Sequence, residues 1–298
     1  MQLNGILLVD KPQGITSHDV VDALRKATGI RRIGHTGTLD PRATGLLVMC
    51  IGQATRLSQH LSGLDKSYEG ALRLGLTTDS HDLDGKILEE KPVPGDLSLD
   101  AVQAVCNQFL GEIKQIPPMV SAIKIGGRRL YKIAREGQEI ERPPRDVRID
   151  RFDILDWETP EAVLSIACSS GAYVRTLCHD VGTILGCGGV LAQLRRTRVG
   201  QYSIEDALPL DQLDTREKVA AHLHPMDDAL HLPVIVLDET QENFIKSGRV
   251  LSSEYLSLPE EIEAGWVQLK NSRQQLIALA ELQKTPQGKR IQPKTVFV

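Results

Sequence analysis

The sequence has no C-x-x-C pair, no H-E-x-x-H, no Walker loop and no zinc-ligand spacing. It therefore offers no recognisable metal site, phosphate-cradling loop or redox motif, and no clear site for a nicotinamide or flavin. The five cysteines (Cys50, Cys106, Cys168, Cys178 and Cys187) are an odd set. Free thiols in a reducing compartment account for them more simply than a disulfide framework does. No apolar stretch approaches the roughly 20 residues a membrane-spanning helix needs. Met1-Gln2-Leu3-Asn4-Gly5 leads directly into an apolar run without a secretory leader pattern, so a cytoplasmic protein is the expectation. Internal repeats and long low-complexity tracts are missing too. So is any overall excess of positive charge: the net charge is −4.

What is present is an ordinary globular composition, 41% hydrophobic and 25% charged over 298 residues, enough for one or two domains. The charge is unevenly distributed. Lys124 to Arg145 holds seven basic and three acidic residues; Lys26, Arg31 and Arg32 form a second basic group, and Arg195, Arg196 and Arg198 a third. Lys284, Lys289, Arg290 and Lys294 form a fourth, while acids gather at Asp79–Asp84 and Asp153–Glu161. An acidic average with local basic patches fits a protein that grips a phosphate backbone on one face. Any single patch reads more readily as solvated surface.

The most informative stretch is Gly34-His35-Thr36-Gly37-Thr38-Leu39-Asp40-Pro41-Arg42-Ala43-Thr44-Gly45-Leu46-Leu47. Gly34, Gly37 and Gly45 permit positive φ, and Pro41 biases Asp40 toward an extended backbone. The stretch reads as a shaped loop presenting the Asp40 carboxylate, braced by a buried strand through Leu46–Ile51. The residues alone leave two readings of Asp40: a turn-former capping local N–H groups, or a reactive acid. Before the loop, Ile6–Val9 reads as a strand, and Ser17 as the N-cap of a helix through Val20, Val21 and Leu24. Lys66–Gly75 alternates like a half-buried strand with Tyr68 near its start. Asp79–Gly85 reads as a polar turn, too poorly spaced for a calcium loop. A helix is expected from Ser98 to Gly111, and paired strands over Arg145–Asp156 and Ala162–Ser169. Tyr173 and Arg175, two apart, would share a face of a strand.

The fourteen-position string Gly34–Leu47 resembles the active-site signature of the TruB family, the tRNA pseudouridine-55 synthases. Three further stretches agree with that family: Lys11-Pro12, Ser169-Ser170-Gly171-Ala172-Tyr173-Val174-Arg175-Thr176, and Leu194-Arg195-Arg196-Thr197-Arg198-Val199-Gly200. The resemblance covers residues 5 to 200. It implies an α+β fold: a pseudouridine-synthase catalytic unit over 1–232, with a mixed, mostly antiparallel sheet and an inserted thumb at about 124–150, then a small PUA-like RNA-binding β barrel over 233–298. It implies Asp40 as the catalytic acid, Arg175 as its ion-pair partner and Tyr68 facing it. Tyr68 and Leu194 would enclose the uracil, and His35 would support the displaced RNA loop. Tyr173 and the thumb cations Lys124, Arg128, Arg129 and Lys132 would contact substrate. An adjacent guanidinium lowers a carboxylate pKa by about 1–3 units, so Arg175 is expected to hold Asp40 ionised. Val120 stands where the family usually has an aromatic residue. The implied activity is conversion of uridine to pseudouridine at position 55 in the tRNA T-arm, with no cofactor and no metal, by a monomer. An RNA-binding folding factor and an N-glycosidase are the competing readings. The first has no need of an acid in its cleft, and the second would release free uracil.

Overall fold

The computed structural model describes residues 3–121, 123–138, 140–252, 262, 264–286 and 288–297, with the backbone alone at 124, 129, 131, 132 and 135. The first part of the chain gives strands β1 (Gly5–Lys11), β2 (Ile33–His35), β3 (Thr44–Ile51), β4 (Lys66–Leu74), β5 (Leu76–Thr78), β6 (Ile87–Glu90) and β7 (Gly111–Gln115). There follow β8 (Lys124–Ile125), β9 (Arg128–Arg129), β10 (Arg145–Glu158), β11 (Glu161–Cys168), β12 (Gly189–Val199), β13 (Tyr202–Ser203) and β14 (Leu208–Pro209). The last strands are β15 (Val234–Val236), β16 (Leu251–Ser252), β17 (Gly265–Lys270), β18 (Leu276–Thr285) and β19 (Gly288–Val296). The helices are α1 (Ser17–Thr28), α2 (Ser58–Ser62), α3 (Leu99–Cys106), α4 (Leu130–Arg135), α5 (Val174–Ile184), α6 (Arg216–Ala221) and α7 (Glu239–Lys246).

Among the described residues the largest sheet has ten strands. Eight run in the order β14-β1-β3-β12-β4-β11-β10-β7, with β2 added to β3 and β13 to β12. The β1–β14 and β3–β12 pairs are parallel and the others antiparallel. The α+β architecture with a mixed, mostly antiparallel sheet is thus as expected. β1 and β3 are continuous apolar runs because both their faces are covered. Ile6, Leu8, Leu46, Val48 and Cys50 join one cluster, while Leu7, Val9, Leu47, Met49 and Ile51 join another beneath α1. A third cluster lies between β4, β10, β11 and the helices α3 and α5, around Phe152 and Leu177.

Two glycines fix the frame of the site. Gly45, at φ 99°, pairs with Arg196 across the parallel β3–β12 contact, and a Cβ there would collide with the Arg196 carbonyl. Gly182 lets α5 lie against Gly188–Gly189 at the start of β12, where any side chain would overlap backbone. This close approach sets the height of α5 over the sheet.

Several local expectations are corrected. The α1 N-cap is Thr16, which forms a capping box with Asp19; Ser17 is the first helical residue. Ile33–His35 is a short strand, not loop, because its backbone pairs with β3, and Gly34 and Gly37 are not left-handed. The expected 98–111 helix keeps its Ser98 cap but ends at Cys106, followed by one 3-10 turn and the edge strand β7. Residues 145–150, expected inside the thumb, belong to β10, so the insert reduces to the β8–β9 hairpin, α4 and the segment reaching residue 144. All five cysteines are buried and unpaired.

The C-terminal strands form a curled five-stranded sheet in the order β15-β17-β18-β19-β16, with its own core around Ile245, Leu269 and Ala280. Its other side is continuous with the large sheet: Leu276, Leu279 and Phe297 belong to the same cluster as Ile6, Leu8, Leu46 and Val48. The Arg56 guanidinium lies 5.6 Å from the Phe297 ring centroid and donates to the Val296 carbonyl. Lys270 pairs with Asp228 at 3.2 Å. Removing residues 233–298 is therefore expected to open a core rather than detach an accessory unit. Burial of one large apolar side chain contributes about 1.5–3 kcal/mol, and three leave together, against a total of about 5–15 kcal/mol for a typical protein. Thermal unfolding with a dye that binds exposed apolar surface checks this: the truncated chain should melt far earlier and bind dye, and a native-like melt would show the cluster to be dispensable.

Candidate active site

Asp40 lines a cleft of about 1960 Å³, walled by the loop 35–41, the β5–β6 turn, the 114–121 segment, residues of the insert between 127 and 142, and the first turns of α5. Several groups hold its loop from behind. The Ser17 hydroxyl donates to the Leu39 carbonyl (3.0 Å) and accepts from the Leu39 N–H (2.8 Å). The Lys11 ammonium, fully buried, donates to the carbonyls of Pro12, Ile15 and Pro41 at 2.8, 2.8 and 3.3 Å, and burial pushes its pKa down to about 8. Arg196, also buried, donates to the carbonyls of Leu46 (2.7 Å) and Gly37 (3.0 Å). The loop is thus fastened by donors to its carbonyls, and the Asp40 carboxylate is left facing the cleft.

Arg175 reaches that carboxylate. It lies in the first turn of α5, with Tyr173 as the N-cap, which corrects the expected strand. The Gln115 amide fixes this start, accepting from the Tyr173 N–H (2.7 Å) and donating to its carbonyl (3.0 Å). Arg175 keeps only 5% of its side-chain surface. Its Nη2 lies 3.3 Å from Asp40 Oδ2 and donates to the Val120 carbonyl at 2.6 Å, and its Nη1 lies 3.2 Å from Asp82 Oδ2. Its guanidinium stands 5.7 Å from the centroid of the Tyr173 ring. Val120 therefore contributes its backbone where an aromatic side chain was expected.

The guanidinium is shared, which overturns one expectation about Asp40. Burial raises its carboxyl above the ordinary carboxylate range, the charges of Asp82 and Asp84 push the same way, and Arg175 and Lys11 only partly oppose them. One cation serving two carboxylates and a carbonyl cannot depress Asp40 as a dedicated partner would. Asp82, itself 14% exposed, accepts from the Ser80 hydroxyl and from the Asp84 N–H, and Asp84 pairs with Arg42 of the Asp40 loop at 3.1 Å.

Tyr68 and Leu194 lie on adjacent strands. Tyr68 is opposite Arg196 and Gly70 opposite Leu194, so Tyr68 and Leu194 share a sheet face. Both are half-buried, and Leu194 packs between two core clusters. Burial raises the Tyr68 phenol, and Arg196 beside it opposes that shift. His35 lines the cleft from β2. Tyr173 is half-buried beside Arg175, its phenol raised by burial. Arg128 faces the cleft mouth but is paired bidentately with Glu136 at 2.6 and 2.7 Å. Lys124, Arg129 and Lys132 fall on β8, β9 and α4, and their side chains lie outside the described residues. Among the described residues no group of His, Cys, Asp and Glu could hold a metal ion, and no helix is long and apolar enough to cross a membrane.

Sequence reasoning gave Asp82 and Gln115 no role at the site, and named Ser17 only as an N-cap and Arg196 only within a basic group and the Leu194–Gly200 motif. Lys11 was visible only as part of Lys11-Pro12, and Asp82 was hidden in an acidic turn with nothing to separate it from Asp79 or Asp84.

Fold and cleft together are those of a pseudouridine synthase. The chain superposes on the crystal structure of a Cbf5-Nop10-Gar1 complex with a TM-score of 0.77 and 27% identity, over 99% of this chain and 85% of that one. The structure of an H/ACA RNP bound to a substrate RNA containing 2'-deoxyuridine matches with a TM-score of 0.75 and 25% identity, over 99% and 85%. Residues 25–174 match the TruB family pseudouridylate synthase (N terminal domain), and residues 175–231 the tRNA pseudouridylate synthase B C-terminal domain. The tRNA pseudouridine synthase B of Heliobacterium modesticaldum is 42% identical over 100% of this chain and 96% of its own length, and that of Alkaliphilus oremlandii 44% identical over 85% of each. The chain belongs to the TruB family.

Proposed function

We propose that this chain isomerises uridine to pseudouridine at position 55 in the T-arm of tRNA, as a cytoplasmic monomer, with Asp40 acting at the ribose. The observation that carries this reading is the Asp40–Arg175 contact lining a cleft large enough for a flipped nucleotide, in a chain of this family. The reaction breaks the bond from C1′ to N1, turns the uracil and joins C1′ to C5; the proton on C5 then leaves. Nothing is oxidised or reduced. Asp40 serves by attacking C1′ or by taking the C2′ proton, and both routes require it ionised. Arg175 aims the carboxylate and partly offsets the cost of its charge. Tyr68 and Leu194, which share a sheet face, would enclose the freed base so that it rejoins instead of diffusing away, and Tyr68 would assist loss of the C5 proton. Extracting the target from its stack costs a few kcal/mol, which the thumb, with Lys124, Arg128, Arg129 and Lys132, and the support of the displaced loop by His35 and Tyr173 would offset.

The test is T-arm RNA carrying tritium at uridine C5. Isomerisation is expected to release tritium to water without free uracil. Free uracil would mean a glycosidase instead, and no release with intact RNA binding would mean a folding factor.

A further inference from the structure

Helix α5 carries Arg175 and, one turn on, His179 on the same face. Opposite them runs the β5–β6 turn, with His81 and Asp82 adjacent. The imidazoles of His81 and His179 lie face to face, with centroids 3.9 Å apart and planes within 3° of parallel. Both Nδ1 atoms are buried without a hydrogen-bond partner, so the rings are held by packing and not by polar contacts at those atoms. His81 has φ 65°, in the left-handed region where a glycine would be unstrained. Its carbonyl accepts from the Leu191 N–H at 3.0 Å, which ties the turn to β12, and Asp84 ties it to Arg42. Toward α5 the turn is fastened by the ring stack and by the Asp82–Arg175 ion pair next to it.

We propose that the His81–His179 stack is a clamp that holds Asp82 against Arg175, and so fixes how one guanidinium is divided between Asp82 and Asp40. Both histidines are positioning residues, acting through Asp82 and Arg175. With the clamp closed, Asp82 takes Nη1, and Asp40 keeps a share of an Nη2 that also serves Val120. With the turn released, Arg175 is left to Asp40 and the Val120 carbonyl, and the Asp82 charge withdraws. Both changes lower the Asp40 pKa. The groups facing His81 are His179 and Arg175 on α5, Arg142 in the segment before β10 and the neighbouring Asp82; Asp180 lies beside His179. Burial first, then the neighbouring His179 and the charges of Arg175 and Arg142, push His81 down to about 4 against the opposing charge of Asp82, so the His81 ring is neutral at assay pH.

The inference rests on Asp40 as the reacting acid, but its test does not. Full-length protein labelled with ¹³C at aspartate carboxyls is titrated by NMR, with Asp40→Asn assigning the Asp40 signal. His81→Ala is expected to lower the Asp40 midpoint in the same direction as Asp82→Asn, and the double variant to go no further. His81→Phe, which keeps a stacked ring, should restore the wild-type midpoint. With T-arm RNA, the acid limb of kcat/KM should move to lower pH in His81→Ala, and His81→Phe should return it to the wild-type position. A wild-type midpoint in His81→Ala, or His81→Phe behaving like His81→Ala, overturns the clamp. If His81→Ala does not fold, His179→Ala and His179→Phe carry the same comparison. The midpoint is read in the free protein, so it decides the clamp whether or not uridine is turned over.

Discussion

Asp40→Asn is expected to reduce turnover of T-arm RNA by more than about 10³-fold, the scale seen when a group acting directly on the reacting atoms is removed. RNA binding should stay within about threefold, because the thumb and the C-terminal sheet are untouched. Single-turnover tritium release and filter binding separate the two, and a variant that still turns over would remove Asp40 from the chemistry. The same substitution carries a stability expectation of definite sign. The folded-state pKa of Asp40 lies above its ordinary value, so between the two the native state binds more protons than the unfolded one. Stability then falls as pH rises through that window. At neutral pH the ionised carboxylate is a cost to the fold, and Asn removes it while Asp82 and the Val120 carbonyl still hold Arg175. The melting temperature should be unchanged or higher. For the wild type, the acid limb of kcat/KM should lie above the ordinary carboxylate range, since protonation of Asp40 stops either route at the ribose.

Arg175→Lys should be nearly as damaging, with kcat/KM falling by about 10²–10³-fold. An ammonium is a compact charge without the planar fork that lets Arg175 meet Asp82 through Nη1 and Asp40 and Val120 through Nη2. Arg175→Ala goes further, leaving two carboxylates without their shared cation; breaking a buried ion pair costs about 3–5 kcal/mol, so its melting temperature should drop as well. Steady-state kinetics beside thermal melts distinguish the two variants. Wild-type kinetics in Arg175→Lys would mean that charge suffices and the fork does not matter.

The parts of this site that were legible in the sequence are those written in contiguous residues. Gly34–Leu47 announced a loop with a presented acid, and the run ending at Arg175 announced its partner. Relations made by folding were not legible. Ser17 bonds Leu39 across 22 positions, and Gln115 bonds Tyr173 across 58; no period or spacing records such pairs. The strand expected for Tyr173 and Arg175 failed because β11 ends at Cys168 and a turn restarts the chain as α5. The β-branched residues around Arg175 suit a strand locally, and packing of α5 on β12 overrides them. The ionisation of Asp40 was misjudged for a similar reason. Burial of its carboxyl, the larger cause, is made by folding, and Asp82, which shares the Arg175 guanidinium, is distant in sequence from both Asp40 and Arg175. The C-terminal strands were visible from their spacing, but their union with the first strand of the large sheet was not.

That union also governs how the chain is made. Synthesis proceeds from the N-terminal side, and domains commonly fold in that order as they emerge. Here Ile6 and Leu8 share a cluster with Leu276, Leu279 and Phe297, so β1 and β3 cannot close this face until β18 and β19 have been translated. The nascent chain therefore carries an open apolar surface from the synthesis of β3 until that of β18 and β19.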